Sequence, residues 1–133
     1  MSKLACKCGY TIVDQADHLP YKAKFIKDQD WLDHKSFAYV IARFIKAILN
    51  GDREQWIQNY FLEGYPHDIS DSEVIHDIAS TFDATYEHNI YQCEKCGRIA
   101  IQKSGNIFSF FQPESNDSHG IFETDETTPL RNL

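Results

Sequence analysis

This 133-residue sequence contains no long hydrophobic segment. Its longest unbroken apolar run begins at Phe37 and ends with Ala42, whereas a helix that spans a bilayer needs roughly 20 apolar residues. The opening residues Met1-Ser2-Lys3-Leu4 also lack the hydrophobic centre of a secretion signal. We therefore expect a cytoplasmic protein that has no membrane partner and keeps its cysteines reduced.

The sequence also lacks the short motifs that mark common enzyme families. It has no HExxH, no GxSxG and no glycine-rich phosphate-binding loop. Histidine stands beside aspartate in His67-Asp68 and His76-Asp77, but neighbouring residues of a helix do not face each other. We therefore expect a non-enzymatic protein with no catalytic residues. The alternative is a small hydrolase, for which His67 and Asp68, in a loop between two predicted helices, are the first candidates.

Lysine and arginine are absent from one long stretch of the sequence. The stretch contains nine acidic residues, which are Glu54, Glu63, Asp68, Asp71, Glu73, Asp77, Asp83, Glu87 and Glu94. The whole chain has a net charge of -7 and a pI near 5.2, so it lacks the positive field that attracts phosphate backbones. Nucleic acid is therefore not the expected partner. Lys22, Lys24 and Lys27 form a local basic group, which we interpret as a solvated turn because Asp28 and Asp30 follow it.

Several of these acids fall on one face of the helix that is predicted after Ser70. None of them has a lysine four residues further on, which is the usual neutralising partner on a helix surface. We predict that this acidic face binds the positive surface of a basic protein. The predicted partner-binding residues are Glu63, Asp68, Glu73, Asp77, Asp83 and Glu87. The alternative is that these carboxylates only keep the protein in solution.

Four cysteines form two pairs, Cys6-Lys7-Cys8-Gly9 and Cys93-Glu94-Lys95-Cys96-Gly97. Four thiolates are the usual ligands of a structural zinc ion, and the glycine after each pair lets the backbone turn around a metal. The second pair lies between two strand-like segments, whereas a thioredoxin-like redox pair lies between a strand and a helix. We predict one structural zinc ion (Zn2+) bound by Cys6, Cys8, Cys93 and Cys96. Iron, redox chemistry and unpaired buried thiols remain as alternatives.

The two cysteine turns resemble the knuckles of a zinc ribbon. Tyr91-Gln92-Cys93-Glu94-Lys95-Cys96-Gly97-Arg98 is similar to a second knuckle, and Leu4-Ala5-Cys6-Lys7-Cys8-Gly9-Tyr10 is similar to a shortened first knuckle. The resemblance implies a metal ion and a pair of hairpins. It implies no activity, because zinc ribbons occur in proteins of many functions.

The sequence between the cysteine pairs predicts three helices. Apolar residues recur with helical spacing from Phe37 to Leu49, Asp52 can cap a second helix, and Ser70-Asp71-Ser72-Glu73 is a capping box for a third. Hairpins are predicted at residues 3–13 and 88–102, and a further strand at 107–111. We therefore predict an α+β fold, in which split zinc-ribbon-like antiparallel β-hairpins carry a three-helix insertion.

The length of the chain is typical of one domain with its own core. We expect residues 1–113 to form a single zinc-stabilised domain. Residues 114–133 are predicted to be an irregular acidic tail, held at most by Ile121, Phe122 and Leu130. The predicted core residues are Trp31, Phe37, Val40, Ile41, Phe44, Ile45, Ile48, Trp56, Tyr60, Ile75, Ile78 and Phe82.

Small size and strong acidity make this chain similar in general character to bacterial immunity proteins. Such proteins neutralise a toxin, often a cationic nuclease, by covering its active site. The resemblance implies a basic protein partner, with a cationic toxin domain as the first candidate. The alternative function is that of a zinc-ribbon accessory factor in transcription or translation.

Overall fold

The computed structural model describes residues 3–31 and 36–124. Its elements in chain order are strands β1 (Lys3–Ala5), β2 (Thr11–Val13) and β3 (Lys22–Ile26), helices α1 (Phe37–Leu49), α2 (Arg53–Tyr60) and α3 (Asp71–Tyr86), and strands β4 (Glu87–Gln92), β5 (Ile99–Ser104) and β6 (Ile107–Phe111). The predicted α+β class is confirmed. The chain divides into two compact units, one made of the segments up to Phe25 and from His88 onward, the other of Ile26–Glu87.

The first unit contains two sheets. β1 pairs with β2 in antiparallel register, with Leu4 opposite Ile12, and the order of the larger sheet is β3-β4-β5-β6. One cysteine pair lies in the turn between β1 and β2, and the other lies between β4 and β5. The core of this unit consists of Cys6, Ile12, Tyr91, Cys93 and Ala100, all of which are buried. Two of the four cysteines are thus core residues as well as members of the predicted site.

Strand β3 corrects one sequence interpretation. The segment that contains Lys22 and Lys24, interpreted above as a solvated turn, is a strand beside β4. A charged residue such as Lys22 is not expected in a half-buried strand, so the sequence pattern does not indicate the strand. Lys22 is tolerated there because its ammonium nitrogen lies 2.7 Å from a carboxylate oxygen of Asp14. Phe25 on the same strand stacks on His88, and the two ring centroids are 5.1 Å apart. The lysines therefore occupy positions in a sheet.

The helix boundaries of the second unit follow from local signals. α1 begins after Ser36, whose hydroxyl accepts a hydrogen bond from the Tyr39 amide at 3.3 Å, and it ends before Asn50. α3 begins with the predicted capping box, in which Ser70 and Glu73 each accept a hydrogen bond from the other's amide. Asp52 precedes α2 as predicted, but its side chain makes no capping hydrogen bond there.

The three helices share one apolar core. Phe44 of α1, Ile57 of α2, and Val74 and Ile78 of α3 are fully buried against one another. Each helix therefore turns one face toward the other two, which is the arrangement expected for short amphipathic helices.

The core prediction is confirmed in part. Phe44, Ile78 and Phe82 are buried, and the half-buried members of the predicted set that pack on the core are Phe37, Val40, Ile41, Ile48, Trp56 and Ile75. The prediction is wrong for Trp31, Ile45 and Tyr60, which are 45%, 45% and 39% exposed. The apolar stripe of α1 is wider than the face that α2 and α3 cover, and Tyr60 stacks on Trp56 at the surface with ring centroids 4.8 Å apart.

The described residues after Phe111, 112–124, belong to the first unit. Residues Asn116–Ser118 form a short 3-10 turn, and Ile121 is 52% exposed. Leu130 lies outside the described residues, and the boundary at residue 113 stays a prediction. Within residues 3–31 and 36–124, no helix has the length and hydrophobicity that crossing a membrane requires.

Candidate metal centre and acidic surface

The two cysteine pairs meet in space although they lie far apart in the sequence. The sulfur atoms of Cys6 and Cys96, 90 residues apart, are 3.6 Å from each other, and those of Cys8 and Cys93 are also 3.6 Å apart. All four Sγ atoms lie within 4.8 Å of one another. Cys6 and Cys93 are buried, and the other two are half-buried. The predicted ligand set is therefore gathered at one place.

The spacing of the sulfur atoms fits a tetrahedral metal site. A metal–sulfur bond of about 2.3 Å, the value for zinc, places two ligands of a tetrahedron about 3.8 Å apart. Two of the six separations, both 3.6 Å, are close to this value, and the other four are no longer than 4.8 Å. A disulfide requires about 2.05 Å between the sulfur atoms, and all four cysteines are free. The four thiols can therefore bind one metal ion and fill its coordination shell.

Both cysteine turns are closed by the same pair of backbone hydrogen bonds. In each turn the amide of the first cysteine donates to the residue after the glycine, and the glycine amide donates back to that cysteine. The four bonds are Cys6 N to Tyr10 O at 2.8 Å, Gly9 N to Cys6 O at 3.0 Å, Cys93 N to Arg98 O at 2.8 Å and Gly97 N to Cys93 O at 2.9 Å. The first turn makes this pattern with one residue fewer. A CxC pair can therefore take the place of a CxxC pair.

The glycine of each turn adopts a backbone conformation that other residues avoid. Gly9 has a φ of 93° and Gly97 a φ of 78°. An L-residue in this region brings its Cβ too close to the backbone, whereas glycine has none. The glycine after each cysteine pair is thus required for the turn that aims both thiols at one point.

Burial and neighbouring positive charge shift the pKa values of the thiols in opposite directions. Burial raises the pKa of Cys6 to about 12, and it also raises the pKa of Cys93. Burial has the same effect at Cys96, but hydrogen bonds from the backbone and guanidinium of Arg98 outweigh it and lower the pKa to about 6. The Arg98 guanidinium lies 3.4 Å from the Cys96 sulfur. A bound cation would remove the cost of burying the remaining thiolates.

Gln92 is a buried polar residue beside the second turn, and no sequence signal marks it. Its side-chain nitrogen donates to the carbonyls of Gly97, at 3.2 Å, and of Ser118, and its oxygen accepts from the Ile121 amide at 3.1 Å. These bonds fix the segment around Ser118 against the metal-binding turn. Glutamine is usually exposed, so a pattern of residue types does not predict this role.

Asp14 forms a second polar cluster in the same unit. Its carboxylate accepts hydrogen bonds from the Tyr91 hydroxyl and, at 2.7 Å, from Lys22. Burial acts to raise the pKa of Asp14, but the hydrogen bonds and the lysine charge outweigh it, so the pKa is lowered. Burial and the contact with Asp14 raise the pKa of Tyr91. Asp14 is therefore an ionised structural residue at neutral pH.

Three of the six predicted partner-binding acids are exposed and have no side-chain partner among residues 3–31 and 36–124. Glu63, Asp68 and Asp83 are solvent-exposed. Their side chains make no hydrogen bond or ion pair with any residue in the described part of the chain. Their charges are not used by the fold.

The other three predicted acids have different environments, and the carboxylates of two of them make hydrogen bonds within the fold. The Glu73 carboxylate accepts from the Ser70 amide at 2.9 Å and completes the capping box. Asp77 accepts from the Tyr65 hydroxyl at 2.6 Å. Burial and this hydrogen bond raise the pKa of Tyr65. Glu87 is half-buried at the first position of β4.

His67 contacts a different carboxylate from the one that follows it in the sequence. Its Nδ1 lies 2.7 Å from an oxygen of Glu54, while Asp68 is exposed. The imidazole lowers the pKa of Glu54. Arg53 donates to the His67 carbonyl at 2.9 Å and to the Asp71 carboxylate at 2.7 Å. These contacts fix the loop between α2 and α3.

The fold and the cysteine site define an α+β protein with a four-cysteine centre that can bind a metal ion. Residues 2–115 match the model of the family described as "Domain of unknown function (DUF8617)". This chain belongs to that family. The matched segment includes all four cysteines and all six predicted acids. Neither the curated proteins nor the solved structures give a significant match.

Proposed function

We propose that the four cysteines bind one structural zinc ion per chain. The all-sulfur ligand set and the tetrahedral spacing support a zinc or iron site, and zinc is the commoner structural ion with four cysteines. Four protein ligands leave no coordination position for water or substrate. The ion would therefore stabilise the fold by joining two turns that are 90 residues apart in the sequence.

We also propose that the protein is a non-enzymatic binding protein whose acidic surface docks a basic protein. Three carboxylates carry this proposal: those of Glu63, Asp68 and Asp83, which are exposed and unpaired among the described residues. No lysine or arginine lies between Arg53 and Lys95, so neighbouring residues in the sequence do not neutralise them. A field of one sign speeds encounter with an oppositely charged partner and disfavours others.

The specific form of this proposal is an immunity protein. It would neutralise a basic, nuclease-type bacterial toxin by covering the active site with its acidic surface. An acidic inhibitor suits such a target because the active site of a nuclease is itself shaped to attract negative charge. The proposal places the protein in the cytoplasm, where thiols stay reduced and can bind metal.

The test begins with capture of the partner from an extract of the native host, followed by separate production of the captured protein. Binding is then measured with the triple variant Glu63→Lys, Asp68→Lys, Asp83→Lys. Glu73 and Asp77 are left unchanged, because their carboxylates accept hydrogen bonds from Ser70 and Tyr65 within the fold. The control is Asp17→Lys, Glu114→Lys, Asp117→Lys, which makes the same change of charge at exposed positions of the other unit.

The proposal predicts that the association rate with a basic partner falls as salt rises, because ions screen the acidic surface. The triple variant at Glu63, Asp68 and Asp83 should bind the partner at least about tenfold more weakly than the wild type. The control variant should lose much less affinity. Recovery of nucleic acid in place of a basic protein would support the accessory-factor alternative. Equal effects of the two triple variants would contradict an acidic docking surface at this position.

A further inference from the structure

The helical unit carries an open apolar groove between the end of α2 and the middle of α3. Its volume is about 770 Å³. We define this α2–α3 groove by six of its lining residues, Tyr60, Leu62, Glu63, Tyr65, Asp77 and Ala84. One wall is the end of α2 with the loop that follows it, and the other wall is the face of α3 beside its buried face.

The loop wall presents large apolar side chains to solvent. Leu62 is 90% exposed and Tyr60 is 39% exposed. Phe61 and Tyr65 stack with ring centroids 3.7 Å apart, so the loop is held by its own aromatic contacts. Tyrosine is enriched among the residues that anchor protein interfaces, and the exposed leucine beside it adds apolar area to the same patch.

The α3 wall is formed by small side chains. Asp77, Ser80, Thr81 and Ala84 recur at helical spacing and line the groove. The Thr81 hydroxyl donates to the Asp77 carbonyl at 2.8 Å, so it needs no partner in the groove. The buried residues of α3, which include Ile78, lie on the adjacent face of the helix. This wall therefore leaves room for a side chain from another molecule.

The charges of the groove are of one sign. Glu63 and Asp77 line it, and none of its lining residues is a lysine or arginine. One oxygen of Asp77 binds the Tyr65 hydroxyl, and the other lies 3.7 Å from the imidazole of His76. The groove therefore has no lysine or arginine of its own, and an occupant with a cationic group would complement these two carboxylates.

We propose that the α2–α3 groove anchors the basic partner through a segment in which an arginine stands next to a large apolar side chain. This inference rests on the proposed function and adds the chemistry of the contact. The planar guanidinium can stack on a tyrosine ring and bind a carboxylate through two hydrogen bonds, which a lysine cannot do. The neighbouring apolar side chain would cover Leu62 and contact Ala84.

The test uses a phage-displayed library of random peptides, selected on the full-length, metal-loaded protein. Selected peptides should contain arginine beside leucine, phenylalanine or tryptophan. Leu62→Ser should weaken their binding about tenfold, because it removes an exposed anchor. The matched control is Leu49→Ser, at a leucine that is 80% exposed at the end of α1, and it should change the affinity less than about twofold.

A second pair of variants tests the groove by filling it. Ala84→Trp should block the selected peptides, whereas Ala42→Trp, at an exposed position of α1 outside the groove, should not. Both variants are checked for unchanged helical circular dichroism. The inference is overturned if no peptide is enriched, if the selected peptides lack arginine, or if Leu62→Ser and Leu49→Ser have equal effects.

The proposed function and this inference can fail separately. If a basic partner binds and depends on Asp68 and Asp83 but not on Leu62 or Ala84, the acidic docking surface stands and the groove is not its anchor. If arginine-containing peptides bind the groove but no basic protein binds the acidic surface, the groove is a peptide site and the proposed function is wrong.

Discussion

Replacing Gly97 by alanine should destabilise the protein more than the same change at Gly9. The two glycines hold equivalent positions in the two cysteine turns, and both have positive φ angles, of 78° and 93°. They differ in their surroundings. A Cβ on Gly97 would lie 3.0 Å from the ring of His119 and 3.3 Å from Pro113, whereas a Cβ on Gly9 would have no atom within 4 Å.

The expected costs follow from these two differences. An alanine with positive φ costs roughly 1–2 kcal/mol, and this cost applies at both sites. At Gly97 the added methyl group also forces the His119 ring away from the turn, and overpacking of this kind costs about 1–3 kcal/mol. Gly9→Ala should therefore lower the free energy of unfolding by about 1–2 kcal/mol, and Gly97→Ala by about 2–5 kcal/mol.

The assay is urea denaturation of both variants in the same excess of zinc. His119→Ala provides the decisive background, because it removes most of the clash without altering the backbone of the turn. In that background the cost of Gly97→Ala should fall toward the cost of Gly9→Ala, since the two positions then differ little. Equal costs at the two glycines, or a cost at Gly97 that His119→Ala leaves unchanged, would refute the described contact between the C-terminal segment and the metal-binding turn.

Two further predictions concern the core and pH. Phe44→Ala should lower the free energy of unfolding by roughly 3–5 kcal/mol, because the side chain is fully buried and packs on Trp56, while Ile45→Ala, at a position 45% exposed, should cost less than about 1 kcal/mol. Folding lowers the pKa of Asp14, so its contribution to stability is present above the unfolded pKa of about 3.9 and is lost as the pH falls through the folded value. The stability difference between the wild type and Asp14→Asn, measured by denaturation at several pH values, should therefore shrink below about pH 4; a difference that grows with acidity would contradict the lowered pKa.

The elements with local signals were predictable from the sequence. α1 and α3 follow from apolar spacing and from caps within four residues of the helix start, such as Ser70 with Glu73. Strand β3 was not predictable in this way, because Lys22 finds its partner Asp14 only after the chain has folded. The exposure of Ile45 depends on how much of α1 its neighbours cover, which no periodicity specifies.

The four cysteines were predictable because their residue type, pairing and following glycines all indicate one chemistry. Their supporting residues were not, since Asp14 and Tyr91 are 77 residues apart and the Gln92–Ser118 bond spans 26 residues. The roles of the acidic residues were also not predictable, because they too depend on contacts that form only in the fold. Asp77 and Asp83 have the same charge on the same helix, but only Asp77 lies near the Tyr65 hydroxyl.

The central claim is that the four cysteines hold one zinc ion, and the most direct test is metal analysis of protein purified without a metal-affinity tag. Elemental analysis should give about one zinc per chain, because four thiolates saturate one tetrahedral ion. A chelator in denaturant should release that zinc together with four reactive thiols. Protein that contains no metal and no free thiols, or that retains its fold after both Cys6 and Cys93 are replaced by serine, would contradict the claim.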